Sequence, residues 1–383
     1  IMAGDMMLSY KFRLYPTRLQ QSRLTEMLGG FCALYNAALQ QRTEAYRRQG
    51  KTLRYTDQAA ELKAVRAADE RLAGFSFTAE QQVLRRLDKA FAAFFRRLKA
   101  KAKAGFPRFQ AASRWDSAEM RVGDGLTIRK SKRLGVVGVP GEIKVKWHRP
   151  LPADAKLGAA VLSRSLGRWF VCFQIEVPDA EPRQDFASVG IDLGLSALVA
   201  LSTGETFPTP QVTRDHAAAL RRRQRKLARA KRGSRGRKIA RRSVARFQAK
   251  IAAKRRDGLH KLSCGLTRRF SHLAMEDLNV KGMARGMLAK AVHNAAWATL
   301  AGMVAYKAAK AGGQVVLVDS RGTSQTCPEC GTVAAKTLAI RTHRCDCGCV
   351  LDRDVAAARV ILRRAGWDGP GTGLGTPSQR VAA

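Results

Sequence analysis

Five of the chain's eight cysteines fall in one stretch, CPECGTVAAKTLAIRTHRCDCGCVLDRD, running from Cys327 to Asp354. The other three, Cys32, Cys172 and Cys264, are scattered, as the core thiols of a chain in a reducing compartment are. C-x₂-C, fourteen residues, then C-x-C is close to a zinc-ribbon spacing. It predicts a structural Zn²⁺ on Cys327, Cys330, Cys345 and Cys347, with Cys349 as a fifth candidate. Four thiolates close the tetrahedron, so the expected metal is structural, not catalytic. The clip would be an insertion ahead of a final helix, and it would anchor the start of that helix beside Asp352 and Asp354.

Those acids belong to a wider pattern. SVGIDLGLSALVALSTGETF (188–207) reads as two apolar strands with a turn at Ser202–Thr203–Gly204. Val189, Ile191 and Leu193 make one face of the first strand. Gly190, Asp192 and Gly194 make the other, which leaves room beside the carboxylate for an ion and a phosphate. A charge on a core strand is costly unless a metal or partner neutralises it. SHLAMEDLNV finishes a second short buried strand on Glu276, and QVVLVDS adds another after a helix around Trp297–Lys310. In the final helix Asp354, Ala357, Ala358 and Ile361 share the inward face, and Asp352 fits the N-cap. Asp192, Glu276 and Asp354 are therefore the predicted catalytic residues. Three hard oxygen donors suit Mg²⁺ or Mn²⁺, and two such ions serve phosphodiester hydrolysis. This is the acid set of an RNase H-like nuclease on a mixed α/β sheet.

The N-terminal half alternates between periods. KFRLYPT is a half-buried strand stopped by Pro16, and from about Leu19 to Arg48 Leu24, Leu28, Phe31, Tyr35 and Ala38 follow helical spacing. A second helix spans about Thr78 to Lys99, with Arg85 and Arg86 on its polar side. After GFPRF, period two returns in EIKVKWH, which turns Lys144 and Lys146 outward, and in WFVCFQIEV. Short strands at this spacing suggest a small barrel or sandwich, with the helices inserted after its first strand.

Charge decides the partner class. Seventy Lys and Arg against thirty Asp and Glu leave a net charge of +40, which implies a polyanion, nucleic acid before membrane. No apolar run is long enough to span a bilayer, and no secretory leader is expected at the start. In residues 221–256 half the positions are Lys or Arg and none is acidic. One or two long helices with a break near Gly233–Gly236 are expected there, with Arg221, Arg222, Arg223, Arg225, Lys226, Arg241 and Arg242 on nucleic acid.

KFRLYPT, YNAAL at Tyr35–Leu39, LDKAFAAFFRRLK, GFPRF, GIDLG, LHKLS, EDLNV, SQTCPECG and CGCVLDRD together resemble TnpB, the RNA-guided nuclease family of bacterial insertion sequences, related to type V CRISPR effectors. The resemblance covers nearly the whole chain. It implies an α+β multidomain protein: a β-barrel wedge domain at 1–17 and 105–185 with a helical recognition insertion at 18–104. An RNase H-like RuvC domain would follow at 186–320 and 351–368, interrupted by a zinc-ribbon target-nucleic-acid-loading module at 321–350, with a flexible tail at 369–383. The family's RuvC acids match Asp192, Glu276 and Asp354. Its members pair a guide RNA with target DNA beside a short adjacent motif and cut it, which implies a cytoplasmic, nucleoid-associated prokaryotic protein, monomeric with one RNA. The chain departs at two places: Ala356 and Val360 replace two Asn of the pattern DRDxNAAxN, and the second cysteine pair is C-x-C, not C-x-x-C. A nuclease-inactive RNA-guided repressor is the alternative, kept open by the lost Asn residues. A transposase is a third reading, disfavoured by the cysteine insertion before the last acid.

Overall fold

The alternation of KFRLYPT begins upstream of that motif: β1 runs over Asp5–Tyr15 and ends at Pro16. In this computed structural model residues 5–152, 155–283, 295–337, 340–367 and 380–381 are described, and the chain divides into two units at Pro178–Asp179. That division precedes the expected boundary at 185. The segment after Pro178 is tied to the second unit, where Arg183 N–H donates to Gly312 O (2.9 Å) and its guanidinium to Thr267 O (3.0 Å).

In the first unit β1 is joined by β2 (Ser117–Arg121), β3 (Leu126–Ile128), β4 (Leu134–Val136), β5 (Val139–Lys146), β6 (Lys156–Ser165) and β7 (Arg168–Pro178). They form an antiparallel, nearly closed barrel-like sheet in the order β2-β6-β7-β1-β5-β4-β3. β1 pairs with β7 along most of its length and with β5 at Arg13–Tyr15. Helices α1 (Arg18–Gln49), α2 (Tyr55–Ala68) and α3 (Phe77–Lys99) lie between β1 and β2 in sequence. Thr17 and Gln20 close a capping box at the start of α1, and Gly50 ends it in the left-handed region (φ 64°). Phe12 and Phe173 of the sheet, Leu24, Leu28 and Phe31 of α1, and Leu84 and Leu87 of α3 form a common core. α2 carries no apolar period in the sequence. Its buried residues are only Gln58 and Leu62, too few to register as an apolar stripe.

In the second unit β8 (Ser188–Asp192), β9 (Ala197–Leu201), β10 (Thr206–Pro208), β11 (His272–Glu276), β12 (Gln314–Val318) and a two-residue strand at Arg380–Val381 make a mixed sheet. Its order is β10-β9-β8-β11-β12 followed by Arg380–Val381. β8, β11 and β12 are parallel, and the other pairs are antiparallel. The stretch 188–207 thus carries a reversal between β8 and β9 ahead of the expected turn, which joins β9 to β10. Helices α4 (Ala217–Arg229) and α5 (Arg235–Arg269) connect β10 to β11, and α6 (Trp297–Lys310) precedes β12. A ribbon of β13 (Thr342–Arg344) and β14 (Val350–Asp352) leads into α7 (Arg353–Arg364). One sheet face packs Val189, Ile191, Leu273 and Met275 against Leu259, Leu266, Trp297 and Leu300. The other packs Ala274, Val316 and Val318 against Ile361 and Ala365. Of the tail at 369–383, Arg380–Val381 is described and pairs with β12; the rest lies outside the described residues.

Candidate active site and metal clip

Parallel pairing sets the first two acids side by side. Met275 lies opposite Ile191, so Glu276 and Asp192 are the next residues on strands about 4.8 Å apart. Both follow the parity of Ala274 and Gly190 and lie on the sheet face covered by α7. Asp354, in the first turn of α7, reaches the same strand ends: its Oδ2 is 3.6 Å from the point a Cβ on Gly194 would occupy. This is the carboxyl end of parallel strands, where open α/β sheets bind ligands.

The electrostatics follow from this crowding. Burial, then the charges of Glu276 and Asp354, push the Asp192 carboxyl up to about 8. Burial raises Glu276 as well, opposed by the Thr323 hydroxyl, which donates to its Oε1. Burial and then the Asp352 charge raise Asp354, opposed by Arg341, whose guanidinium is 3.8 Å away. Among the described residues, the groups whose ligand atoms all lie within 4.8 Å of one another are built on cysteines; the three carboxylates are not among them. Thr323 and Arg341 escaped the sequence reading, since neither adds to an apolar period or a ligand spacing.

Gly190 has a different role from the one its position suggested. A Cβ there would overlap the carbonyl oxygen of Ala358, so the space beside β8 is filled by the backbone of α7, not held open for a ligand. The missing side chain lets the helix approach and brings Asp354 to the strand ends. Gly190→Ala should cost about 3 kcal/mol, the upper end of ordinary overpacking, and should lower cleavage more than it lowers RNA affinity. Thermal melting with paired cleavage and binding assays checks this. A variant with unchanged Tm would show that α7 shifts freely.

The clip is assembled as its spacing predicts. Cys327 and Cys347 sulfurs lie 3.7 Å apart, and those of Cys330 and Cys345 3.5 Å apart. The edge of a tetrahedron with metal–sulfur bonds of about 2.3 Å is about 3.8 Å, so this cage has the size of a metal site, and all eight cysteines are free thiols. The Thr332 hydroxyl, then the Thr332 N–H and Cys345, pull the Cys330 thiol down to about 6, which favours the ligating thiolate. A second group, Cys327, His343 and Cys349, shares Cys327. His343 is buried, Lys336 contacts its Nδ1, and its Nε2 has no partner. The alternation H-R-C-D-C-G-C was the signal that could have pointed to it.

The clip also determines where α7 begins. β14 ends on Asp352, which accepts from Asp354 N–H (2.9 Å) and Val355 N–H (3.2 Å) and so caps the helix. Arg353 is buried and donates to Thr337 O (2.8 Å), while its own N–H donates to Arg341 O (2.8 Å). The cysteines stand beside the acids because the ribbon they close delivers Asp354 to the sheet.

Of the expected basic contacts, Lys144 and Lys146 point outward from β5, alternating with buried Ile143 and Val145. Arg85 lies over the Tyr55 ring (5.1 Å), and Arg86 over Trp115 (4.4 Å), next to Ser117. α4 and α5 are separated at 230–234, where Arg237 donates to Leu227 O and Ala230 O and so closes the end of α4. Arg223 is held over Phe247 at 4.0 Å, whereas Arg221, Arg222, Arg225, Lys226, Arg241 and Arg242 are exposed. Replacing Arg221, Arg222, Arg225 and Lys226 with Gln should therefore flatten the log–log salt dependence of RNA binding by roughly two to three. Titration at several ionic strengths measures it, and an unchanged slope would make this face simply solvated.

Comparison with known proteins adds to this geometry. Residues 170–287 match the OrfB_IS605 family, described as "Probable transposase"; 297–361 match the Cas12f1-like TNB domain; 2–51 match a helix-turn-helix family. Within 2–51 the described residues form strand β1 and the single helix α1. A protein of Streptomyces pristinaespiralis, provisionally named an RNA-guided DNA endonuclease, is 37% identical across 98% of this chain and 93% of its own length. InsQ of Escherichia coli K12, named in the same provisional way, is 29% identical across 92% of this chain and 91% of its own. Among solved structures, that of a Cas12f1–sgRNA–target DNA complex has a similar fold (TM-score 0.58, 12% identity, 93% of this chain and 98% of that one). The mini-RNA-guided endonuclease CRISPR-Cas_phi3 also resembles it (TM-score 0.50, 10% identity, 94% and 92%).

Proposed function

The chain belongs to the TnpB family, and from that membership we propose that it is an RNA-guided DNA endonuclease that cuts with Asp192, Glu276 and Asp354. The observation that carries the assignment of the site is the meeting of these acids at one end of the β8–β11 pair, with Asp192 pushed up to about 8 by burial and by the other two. Three carboxylates at one strand end suit a divalent cation, whose charge would offset the burial and the repulsion that raise Asp192. Mg²⁺ or Mn²⁺ would supply Lewis acidity and an activated water at neutral pH.

The chain's own residues supply the rest. Asp192 ends β8, which is paired on both sides, and burial first, then the neighbouring charges, raises its affinity for a proton. Thr323 orients Glu276 through Oε1. Asp352 fixes the first turn of α7 and with it the position of Asp354. Arg341 can meet a phosphate oxygen near Asp354. Zn²⁺ on Cys327, Cys330, Cys345 and Cys347 would hold the ribbon ahead of α7.

In this reading the first unit carries the wedge and recognition domains. The second carries the RuvC domain, with the cysteine module inserted before α7. Guide RNA and double-stranded DNA with an adjacent motif are the partners, in the nucleoid of a prokaryotic cell. Ala356 and Val360 are both buried, and α7 is capped by Asp352 without help from either, so the start of the helix does not depend on the missing Asn side chains.

The test combines purified protein, its guide RNA, Mg²⁺ and a target plasmid carrying a randomised flanking sequence. Guide-dependent linearisation is expected. Binding without cutting in Mg²⁺ or Mn²⁺ would make the protein a repressor, and guide-independent strand joining would make it a transposase.

A further inference from the structure

We propose that a cavity in the N-terminal unit is a pocket for one unstacked nucleobase, with Arg42 as its polar anchor. This rests on the reading of the chain as a nucleic-acid-binding protein and names what that unit would hold. The cavity, of about 790 Å³, lies between the C-terminal half of α1, residues 52–54 and the end of α3. Its walls are aromatic. Phe106 meets Phe91 (5.5 Å, 89°) and Phe94 (5.4 Å, 79°) edge to face. Tyr46, Phe95 and Phe106 are 66, 54 and 49% exposed, so each leaves aromatic surface open to a planar ligand. Such an opening costs apolar exposure unless something covers it.

Arg42 supplies the second, independent observation. It is only 7% exposed and lines the cavity. Its Nε donates to Gln58 (2.8 Å) and its Nη1 to Asp88 (3.0 Å), but Nη2 is buried with no partner. The Arg42 guanidinium lies over the Phe91 ring (5.3 Å), and a buried N–H without an acceptor is expensive, so a ligand acceptor that reaches Nη2 would complete its bonding. A nucleobase offers ring-nitrogen or carbonyl acceptors together with a π face, and sequence-tolerant base stacking on aromatic side chains is general. Asp88 beside Arg42 can accept from an exocyclic amine. At the rim, Arg47 and Arg54 are exposed and can take the flanking phosphate. An apolar side chain from a second copy would leave Nη2 unsatisfied and bury the rim arginines, and two chains each carrying +40 repel one another.

The experiment uses the full chain and single-stranded RNA and DNA oligonucleotides carrying 2-aminopurine, without guide, target or metal. Phe95→Ala and Phe106→Ala remove half-exposed rings, and thermal melting of each variant checks that the fold is kept. Each should weaken binding about tenfold, restore 2-aminopurine fluorescence and leave the salt slope unchanged, because a base contact is lost and no phosphate contact is. Photocrosslinked oligonucleotide should map to peptides within 42–54 or 88–106. A response in the RNA arm assigns the pocket to the guide, and one in the DNA arm to a target strand; either supports it. Affinity within twofold of the unmutated protein in both arms, or a crosslink elsewhere, overturns it. So does a dimer in sedimentation that Phe95→Ala dissolves, which would make this face an interface between copies. Loss of guide-dependent plasmid cleavage by the unmutated protein would remove the endonuclease reading alone, since the oligonucleotide assay needs no cleavage.

Discussion

Asp192→Ala, Glu276→Ala and Asp354→Ala should each lower target cleavage by roughly a thousandfold or more, about 4 kcal/mol of barrier, while guide and target affinity stay within about twofold. Affinity in such a system comes from many basic residues and from guide–target pairing. The chemistry needs hard ions in one geometry, and each carboxylate is a ligand in it. Asp352→Ala should be milder, about 1 kcal/mol of helix stability, because its side chain caps α7. Gel-shift affinity and plasmid cleavage, measured for each variant at fixed salt and Mg²⁺, decide the matter. Abolished cleavage in Asp352→Ala with cleavage intact in Asp354→Ala would mean the third ligand is Asp352.

The same site makes metal-free stability depend on pH. Asp192 holds its proton up to about 8 in the folded chain and releases it near its ordinary value when unfolded. Between those values the folded state binds more protons, so stability falls as pH rises through that window. A divalent ion should flatten the dependence, and Asp192→Asn should remove this contribution. Urea midpoints at pH 5 and 8.5, with and without Mg²⁺, measure it. A midpoint that rises with pH in the metal-free wild type, with no change in Asp192→Asn, would contradict the assigned shift.

Cys327→Ser should remove nearly all the proposed zinc and unfold the ribbon ahead of α7. Structural zinc is worth roughly 10–16 kcal/mol in small peptides, and Cys327 is the buried thiol common to both candidate groups. Cys330→Ser, Cys345→Ser and Cys347→Ser should follow it. Cys349→Ser and His343→Ala should retain the metal, because four thiolates already complete the tetrahedron. Elemental analysis and hydrogen exchange over 340–358 provide the readout. Equal zinc loss from Cys349→Ser and Cys347→Ser would move the site to the group that includes His343. Loosening should reach Asp354, because Asp352 is both the last residue of β14 and the cap of α7.

Much of this was legible in the sequence because it rests on local signals. The helical spacing of Leu24, Leu28, Phe31, Tyr35 and Ala38 marked α1, alternation marked β5 and β7, and cysteine spacing named the four sulfurs that come together. The acids could be picked out because a carboxylate ending an apolar strand has a cost that composition does not explain. Other features carry no local signature. α2 buries too little for a period, and Thr323 looks like any loop threonine until Glu276 is beside it. Gly190 read as room for a ligand, yet the backbone of α7, more than 160 residues away in sequence, fills that space.

The sequence by itself determined which side chains could do chemistry, which faces of their strands and helices they occupy, and which thiols could share a metal. Those properties follow from residue type and from periods of 2 and 3.6 within one element. Only the tertiary structure decided that β8 and β11 run parallel in the register that pairs Ile191 with Met275, and that α7 lies close enough over Gly190 to bring Asp354 to Asp192. Register and helix approach depend on packing between segments far apart in the chain. The proton affinity of Asp192 is a product of that packing, since burial and two neighbouring charges raise it.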